Sequence, residues 1–293
     1  PDIVVVVGYV GLTNQIAMRM LHKERRPWVF WAEIPGLHKR GMVGSWLRRI
    51  AQRPLRDTAG IAAVGSHAVK AYQEIQQALG GSCEFRNIPY HCDTSPYCRA
   101  AEEREPSETL RFLYCGQLIE RKGVDLLCRA FVRLLDNGHQ ALLTLAGGGP
   151  LRDTLENSIP DRHKDSVRFC GFVEVDALPE VFAGSDVFLL PSRHDGWGVV
   201  VNQAIAAGMP IIATTAVGAA NDLVDEGING LKITPDCEDA IYTALAQLAS
   251  DSILVRRMGI NSMQKSDSIS LPSAVDQWYE FFSASLGAET QAK

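Results

Sequence analysis

The stretch that decides the fold is Asp186-Val-Phe-Leu-Leu-Pro-Ser-Arg-His-Asp-Gly-Trp-Gly198. Its first part, 187–190, is apolar throughout, which is typical of a strand buried on both faces of a parallel sheet. Gly196 and Gly198 follow, and glycines let the backbone approach a ligand closely just where a helix predicted over 198–207 begins. The pattern therefore indicates a βα unit with a ligand-accessible loop at the carboxyl end of its strand.

The same alternation of strand and helix patterns extends along the chain on both sides. In the second part of the chain, strands are predicted over 111–115, 141–146, 166–170, 187–190, 210–213 and 230–233. The helices between and after them are predicted over 123–136, 150–157, 176–183, 198–207, 219–226, 237–249, 251–265 and 272–285. Shorter apolar runs predict further strands over 3–7, 28–31, 61–64 and 84–88. This alternation indicates an α/β protein with doubly wound parallel sheets.

A segment poor in apolar residues, 91–106, interrupts the alternation. It is rich in Pro, Ser, Thr and Glu, as linkers are. We therefore predict a first domain with its linker over 1–106, a second domain over 107–270, and a C-terminal helix over 271–293 that crosses back to the first domain. Two domains also fit a length of 293 residues.

The composition excludes several classes of protein. With 46% hydrophobic and 22% charged residues the chain is neither disordered nor a membrane bundle. The seven cysteines are scattered, without the spacing of a zinc site, and several lie in apolar runs. This usage predicts a reducing, cytoplasmic compartment.

Positive charge is concentrated in one segment. Residues 19–56 contain ten Lys/Arg and two acids, although the whole chain has a net charge of −5. The part over 44–56 also has an amphipathic pattern with apolar positions at Trp46, Leu47, Ile50 and Leu55. We predict that it docks on an anionic membrane, at the inner face, through basic residues at Arg40, Arg48, Arg49, Arg53 and Arg56. A solvated basic helix is the alternative.

Two loops carry the residues suited to chemistry. After the strand 111–115, Arg121 and Lys122 stand at a helix start, where cations are disfavoured unless an anion such as a diphosphate binds there. A solvated basic turn is the alternative. After 187–190, Asp195 stands at the helix entrance and Gln203 follows eight residues later; a helix N-cap and a solvent-facing residue are the alternatives.

Two other features are weaker signals. Gly147-Gly-Gly-Pro150 lacks the spacing of the dinucleotide fingerprint and of the P-loop, so it is left open whether this turn touches a ligand. A lone loop histidine such as His194 is more often inert than catalytic.

Six motifs in order make the second part resemble the nucleotide-binding domain of the retaining glycosyltransferases of family four, whose GT-B fold has two facing Rossmann-like domains. They are 116–127, 145–150, 169–173, 186–198, 208–213 and 227–231. Residues 2–21 and 29–35 resemble later strands of the family's N-terminal domain. The resemblance thus covers nearly the whole chain and implies a first domain truncated at its N-terminus, without its opening βα units.

The resemblance also implies roles for residues. Lys122 would hold the donor diphosphate, together with Arg121, because Gln117 stands where the family has a second basic residue after Gly116. Asp195 would contact the transferred sugar and Gln203 the ribose. Backbone groups would contact the sugar and phosphate at Gly196, Trp197, Gly198 and Val199, and the base would lie on the turn Gly171, Phe172 and Val173.

Three departures from the family pattern bear on activity. Asp195 is one methylene shorter than the usual glutamate, and Gln203 lacks the charge of the second one, although its amide can still accept from a hydroxyl. Val7-Gly8-Tyr9 stands where many relatives have a histidine. Together with the truncation, these lead us to expect that the chain binds a donor without turning it over.

The implied function is transfer of a sugar from a UDP- or GDP-sugar to a glycan or lipid-linked acceptor hydroxyl, with retention of configuration, in polysaccharide or glycolipid synthesis. No metal, no protein general base and no nucleic-acid partner is expected. A non-catalytic nucleotide-sugar-binding protein is the main alternative. A GT-B nucleotide-sugar epimerase is less favoured, because the carboxylates and histidines that it needs are not evident.

Overall fold

The computed structural model describes residues 3–35 and 42–291, and their side chains except at 42, 43 and 288–291. Contacts divide the chain into two compact units. The first unit comprises Pro1–Tyr90 and Pro272–Lys293, and the second comprises His91–Leu271. Each unit has its own parallel sheet.

The first unit contains a four-stranded parallel sheet in the order β1-β2-β3-β4. The strands are β1 (Val4–Val7), β2 (Trp28–Ala32), β3 (Gly60–Ala63) and β4 (Glu84–Asn87). The helices between them are α1 (Leu12–Lys23), α2 (Met42–Gln52) and α3 (Ser66–Leu79). The core on one face gathers around Phe30, whose ring meets the edge of Tyr72 at 5.3 Å. These elements confirm the βα alternation predicted for this part.

The second unit contains a six-stranded parallel sheet in the order β10-β9-β8-β5-β6-β7. Its strands are β5 (Leu110–Cys115), β6 (Ala141–Ala146), β7 (Val167–Gly171), β8 (Val187–Leu190), β9 (Ile211–Thr214) and β10 (Gly230–Ile233). Its helices are α4 (Ser95–Glu102), α5 (Val124–Asp136), α6 (Arg152–Ser158), α7 (Leu178–Ala183), α8 (Val200–Ala206), α9 (Gly218–Leu223), α10 (Glu238–Ala249) and α11 (Ser252–Met263).

The strand order of the second unit creates a switch point. From β5 the chain runs through β6 and β7 to one edge, and then returns so that β8 pairs with the other side of β5. The loops that follow β5 and β8 therefore leave the sheet side by side at its carboxyl edge. Ligands of open α/β sheets bind at this kind of place.

The predicted α/β class with two parallel sheets is confirmed, because the strands of both units are parallel and alternate with helices. The predicted linker differs from the structure, because 91–106 contains α4. This helix packs on α7 and α8, and the Tyr97 ring meets the Phe182 ring at 5.1 Å. The second unit therefore begins at His91 rather than after residue 106. The prediction missed α4 because a buried tyrosine and small alanines make a weak periodic pattern.

The final helix, α12 (Leu271–Gln291), groups with the first unit from Pro272 onward. Phe281 is fully buried against Val29, Ala62 and Ile88. Trp278 meets Trp31 edge to face, with ring centroids 5.7 Å apart. This aromatic cluster covers the face of the first sheet opposite the Phe30 core.

The basic amphipathic segment forms α2 and a following 3₁₀ turn at Arg53–Asp57. Its predicted apolar positions separate in the structure. Leu55 is fully buried, whereas Trp46 and Leu47 are 61% and 53% exposed. Of the arginines assigned to this surface, Arg40 lies outside the described residues.

Candidate functional site

The loops after β5 and β8 meet in an ion pair at the switch point. The Lys122 Nζ donates to Asp195 Oδ2 at 2.5 Å. Both side chains are largely buried, with 14% and 13% exposed. The two charged groups are paired with each other and have little contact with solvent. An anionic ligand could bind the lysine, which would free the carboxylate to accept hydrogen bonds from the rest of that ligand.

Arg193 locks the same two loops together. Its guanidinium forms a bidentate pair with the Asp125 carboxylate in α5, at 2.7 and 2.9 Å, and donates to the Glu120 carbonyl. It also donates to Asp236 beyond β10, at 2.7 Å. The Arg193 backbone N–H donates to the Arg121 carbonyl at 2.9 Å. The side chain and backbone of Arg193 thus join the segments that carry Lys122 and Asp195.

Arg121 lies on the outer side of this junction. Its guanidinium is exposed and donates to the backbone carbonyl of His194 at 2.8 Å. His194 thus contacts Arg121 through its backbone carbonyl rather than through its imidazole. The structure brings together Lys122, Arg121 and Asp195, the three residues that the resemblance assigned to the chemistry.

Glycines let three loops touch backbone to backbone. Gly147 N donates to Gly171 O at 2.7 Å, and a Cβ at Gly147 would lie 1.9 Å from Gly116 O. A Cβ at Gly149 would similarly lie 2.5 Å from the Leu118 carbonyl oxygen. In the Gly147–Pro150 turn, Gly147 and Gly149 therefore have a structural reason, which is the close approach of the β5, β6 and β7 loops.

Two glycines with positive φ shape the approach to α5 and α8. Gly123, at φ 68°, would place a Cβ 2.1 Å from the Pro191 carbonyl oxygen. Gly198, at φ 88°, packs against Leu190 and Val217. A side chain at Gly123 would separate the β5 and β8 loops, so this glycine is needed for the meeting of Lys122 and Asp195.

The loop from Gly196 to Val199 is anchored at both ends. Gly218 N donates to Asp195 O at 3.1 Å, and Ala219 N donates to Trp197 O at 2.9 Å. The Trp197 ring is buried, with its Nε1 donating to Asn202 at 3.1 Å. The Trp197 side chain is therefore committed to the fold, and a ligand would meet the backbone of this loop and the partly exposed Val199.

Other predicted residues lie outside this ion-paired centre. Gln203 is half-buried in α8, and Phe172, 74% exposed, follows Gly171 beside half-buried Val173. Gln117 is exposed, and its carbonyl accepts from the Tyr114 hydroxyl at 2.7 Å. Among the described residues, no hydrogen bond or ion pair joins the side chains of these four to Lys122 or Asp195.

Hydrogen bonding and burial around the site shift the pKa values of two neighbouring groups. The hydrogen bonds from Arg193 lower the pKa of the Asp125 carboxyl, against the opposing effect of burial. Burial raises the pKa of the Cys115 thiol, at the end of β5, to about 11, although Lys122 opposes the shift. Cys115 is therefore a neutral thiol beside the ion pair, and Asp125 is a firmly ionised anchor for Arg193.

Sequence reasoning missed Arg193 and Asp125. The sequence does place these charged residues close to the site: Arg193 stands two residues before Asp195, and Asp125 stands three residues after Lys122. Only the strand order, however, shows that these two segments are neighbours.

The comparisons with known proteins begin with a family. Residues 99–265 match the family described as glycosyl transferases group 1. The chain is 31% identical over 198 residues to a GDP-mannose-dependent alpha-(1-6)-phosphatidylinositol monomannoside mannosyltransferase of Mycolicibacterium smegmatis, covering 62% of this chain and 52% of that protein. It is 29% identical over 174 residues to the alpha-D-kanosaminyltransferase of Streptomyces kanamyceticus, covering 58% and 45%. The chain thus spans about half the length of these relatives.

Solved structures share the fold. HepE of Anabaena in complex with UDP superposes with a TM-score of 0.78 at 18% identity, covering 96% of this chain and 79% of that one. Sucrose-phosphate synthase from Thermosynechococcus elongatus gives 0.75 at 18% identity, covering 98% and 74%. The family match extends over more than half of the 293 residues and includes every loop of the site described above, so the chain belongs to the glycosyl transferases group 1 family.

Proposed function

We propose that this protein transfers a sugar from a nucleoside diphosphate sugar to an acceptor hydroxyl, with retention of configuration. The observation that carries the proposal is the Lys122–Asp195 pair, held between the β5 and β8 loops at the switch point. Membership of the family supports the reaction class, and two relatives bear names of glycosyltransferases that act with mannose and kanosamine groups.

The proposed chemistry separates the two members of the ion pair. The donor diphosphate takes the Lys122 ammonium, with the exposed Arg121 guanidinium nearby, and the transferred sugar's hydroxyls donate to Asp195. The bond from the anomeric carbon to the β-phosphate oxygen then breaks while a bond to the acceptor oxygen forms on the same face. The acceptor proton passes to the departing phosphate oxygen. Lys122 and Arg121 stabilise the negative charge that develops there, as fixed electrostatic donors do.

Donor binding is the first test, because every proposed donor contact lies within residues 116–203. Calorimetry of the chain with UDP, GDP and their common sugar conjugates measures it. We expect one base to be preferred, and Lys122→Gln to weaken nucleotide binding by about 2 kcal/mol, the scale of a charged hydrogen bond. Lys164→Gln, which removes an exposed ion pair with Asp161, is the matched control and should leave affinity unchanged. Absence of binding to all nucleotides would overturn the proposal.

The reaction is then followed with donor labelled at the sugar. Transfer of label to an acceptor hydroxyl, unaffected by EDTA, would support the metal-independent reaction that we propose, and it would contradict the expectation from the sequence that the chain binds a donor without turning it over. Loss of label from the sugar's C2 without an acceptor would select an epimerase. Tight donor binding by a chain that neither transfers nor epimerises would favour the non-catalytic alternative, which Gln203 and Gln117 motivate.

We further propose that the acceptor is glycan or lipid-linked, and that α2 docks on the cytoplasmic face of an anionic membrane. Exposed Trp46 and Leu47 would enter the interface, and the adjacent basic residues are Arg48, Arg49, Arg53 and Arg56. Among the described residues, none of the helices has the length and apolar character to cross a membrane.

Liposome co-sedimentation tests the docking. Binding should rise with the fraction of anionic lipid and fall several-fold in Arg49→Glu, since each basic residue near the surface contributes about 1 kcal/mol. Arg162→Glu, an exposed arginine of the second unit, is the matched control. Binding that ignores anionic lipid would remove this part of the proposal.

A further inference from the structure

A second cavity lies within the second unit, at the amino ends of the strands. It has a volume of about 720 Å³. Its lining includes Leu110, the first residue of β5, together with Gln140 and Pro210, which immediately precede β6 and β9. The Lys122–Asp195 pair follows the opposite ends of the strands. Since β5 spans about 17 Å at 3.3 Å per residue, the cavity is separate from the proposed donor site.

The cavity is large enough for an organic molecule and has an apolar wall. Binding pockets for small molecules commonly have volumes of about 300–1,000 Å³. The apolar lining comes from β5, from the residue before β9, and from α10 and α11: Leu110, Pro210, Leu248, Val255, Ile260 and Met263. Gly208 and Gly259 also line it, and their backbones lie close together. A Cβ on Gly259 would lie 2.6 Å from the Gly208 carbonyl oxygen. The wall is thus formed by packed secondary structure.

The charged lining has more free cations than free anions. Arg104 and Arg256 both line the cavity, and among the described residues neither forms an ion pair with a carboxylate. Asp186, which also lines it, is already held by Arg111 in a bidentate pair at 2.8 and 3.0 Å. Glu108 remains as the one lining carboxylate, in the described chain, outside such a pair.

Arg104 has a structural role, but the groups that it hydrogen-bonds do not neutralise its charge. Its Nη2 donates to the Ala207 carbonyl at 2.7 Å and to the Phe182 carbonyl at 3.3 Å, near the ends of α8 and α7. These acceptors carry only partial negative charge. Its Nε is buried without a partner in the described chain, and burial lowers the pKa of the guanidinium, although the nearby Asp186 carboxylate, which Arg111 already pairs, opposes this shift. A partly buried cation beside an apolar wall is stabilised by an anion that enters with it.

We propose that this cavity binds a small amphipathic anion, an apolar body bearing one sulfonate, carboxylate or phosphate group that pairs with Arg104 and Arg256. The apolar body would lie against the wall formed by α10 and α11. This site does not depend on the proposed transferase function, because it shares no residue with the donor site.

A matched pair of fluorescent probes tests the charge requirement. 8-Anilinonaphthalene-1-sulfonate carries an apolar body and one sulfonate, and N-phenyl-1-naphthylamine has nearly the same body without the charge. In titrations of the full chain, we expect the sulfonate to bind at least tenfold more tightly. Equal affinity for both probes would show a merely apolar groove and overturn the proposal.

Two arginines that are neighbours on α11 provide the variants. Arg256→Gln should weaken the sulfonate's binding about fivefold and leave that of the neutral probe unchanged. Arg257→Gln, adjacent in sequence but not in the lining, should change neither. Equal losses in both variants would mean a non-specific charge effect and would contradict the site. Arg104→Gln should add to the Arg256→Gln loss, but its two carbonyl contacts make the Arg256 variant the cleaner test.

Two experiments test whether the probe binds in this cavity: a substitution that fills the cavity, and competition with UDP. Ala249→Trp places a large ring at the cavity lining and should abolish binding of the sulfonate, with circular dichroism confirming the fold. Saturating UDP should leave the sulfonate's affinity within twofold. Undiminished binding in Ala249→Trp, or displacement by UDP, would place the probe elsewhere and overturn the proposal.

Discussion

The two units have the same kind of sheet but differ in how their carboxyl edges are built. In the second unit, the loops after β5, β6 and β8 contact each other through backbone atoms, and a Cβ on Gly147 or Gly123 would lie about 2 Å from a carbonyl oxygen. In the first unit, Gly8 follows β1, and a Cβ there would meet nothing closer than the Asn14 amide at 3.9 Å. Close loop packing thus accompanies the ion-paired site and is absent at Gly8.

The sheets differ in burial as well. β8 and β9 are buried along their whole length, whereas β1 pairs with β2 alone among the described strands and exposes Val5 and Val7. A strand with one free side has fewer hydrogen-bonded neighbours to hold it closed. The comparison indicates that the second unit holds its site on a rigid edge, while the first unit has a more open one.

The largest expected change in stability comes from a substitution that disrupts the close packing of loops at the carboxyl edge of the second sheet. Gly147→Ala should destabilise the second unit by about 3 kcal/mol, because overpacking adds to the strain of a positive φ. Gly8→Ala in the first unit should cost about 1 kcal/mol, from backbone strain alone. Urea unfolding, followed by circular dichroism, measures both. Gly138→Ala, with a positive φ but open space, is the control within the second unit; a cost equal to that of Gly147→Ala would show that packing is irrelevant.

Hydrogen exchange sharpens the difference in sheet burial. Backbone amides of β1 should exchange about 100-fold faster than those of β5, which pairs with strands on both sides. This corresponds to about 2.8 kcal/mol in opening free energy, at 1.4 kcal/mol for each factor of ten. Peptide-resolved mass spectrometry gives the rates, with β8, which also pairs on both sides, as the protected reference. Similar protection of β1 and β5 would contradict the contrast between the units.

Substitutions at the nucleotide site of the second unit should have a smaller effect, measured as a change in binding free energy. Gln203→Ala should weaken nucleotide binding by about 1–2 kcal/mol if the amide holds the ribose hydroxyls, and Gln203→Glu should retain or improve it. Calorimetry with the preferred nucleoside diphosphate decides. The exposed Gln117→Ala on the neighbouring loop should have a lesser effect; identical affinity of all Gln203 variants would remove that residue from the site.

The smallest effect is the response to acid. Arg193 lowers the folded pKa of Asp125 below its ordinary value of 3.8, so its stabilising contribution is present above that value and is lost as the pH falls through the folded pKa. The second unit should therefore loosen in this acidic range. Arg193→Gln should flatten the pH dependence of its unfolding midpoint between about pH 5 and pH 2, whereas Arg133→Gln, at an exposed pair with Asp239, should not. Parallel pH profiles for the wild type and Arg193→Gln would exclude this anchor.

Much of the second unit could be predicted because its strands are continuous apolar runs. The predicted strands over 141–146, 187–190 and 230–233 coincide with β6, β8 and β10, and the bounds of the others differ by a single residue. Helix α4 could not be seen, since its stability comes from Tyr97 and Ala100 packing on elements more than 70 residues away. The pattern over 44–56 likewise did not reveal that Trp46 stays exposed whereas Leu55 turns inward after α2 ends.

Within the site, residue types were predictable and their contacts were not. Trp197 illustrates the difference: its place in a glycine-rich loop was evident, but the burial of its ring against Asn202 was not. Arg193 was overlooked because its carboxylate and carbonyl partners come from two segments, at 120–125 and at 236, that are distant from it in sequence.

The α/β alternation, the strands buried on both faces and the charged residues of each loop follow from the amino-acid sequence. These are local properties, set by the spacing of apolar side chains and by glycines at strand ends. The ion pair between Lys122 and Asp195, 73 residues apart, depends instead on the folded arrangement of the second unit. The physical reason is the strand order: β8 pairs beside β5 rather than beside β7, and parallel pairing brings both loops to the same edge of the sheet.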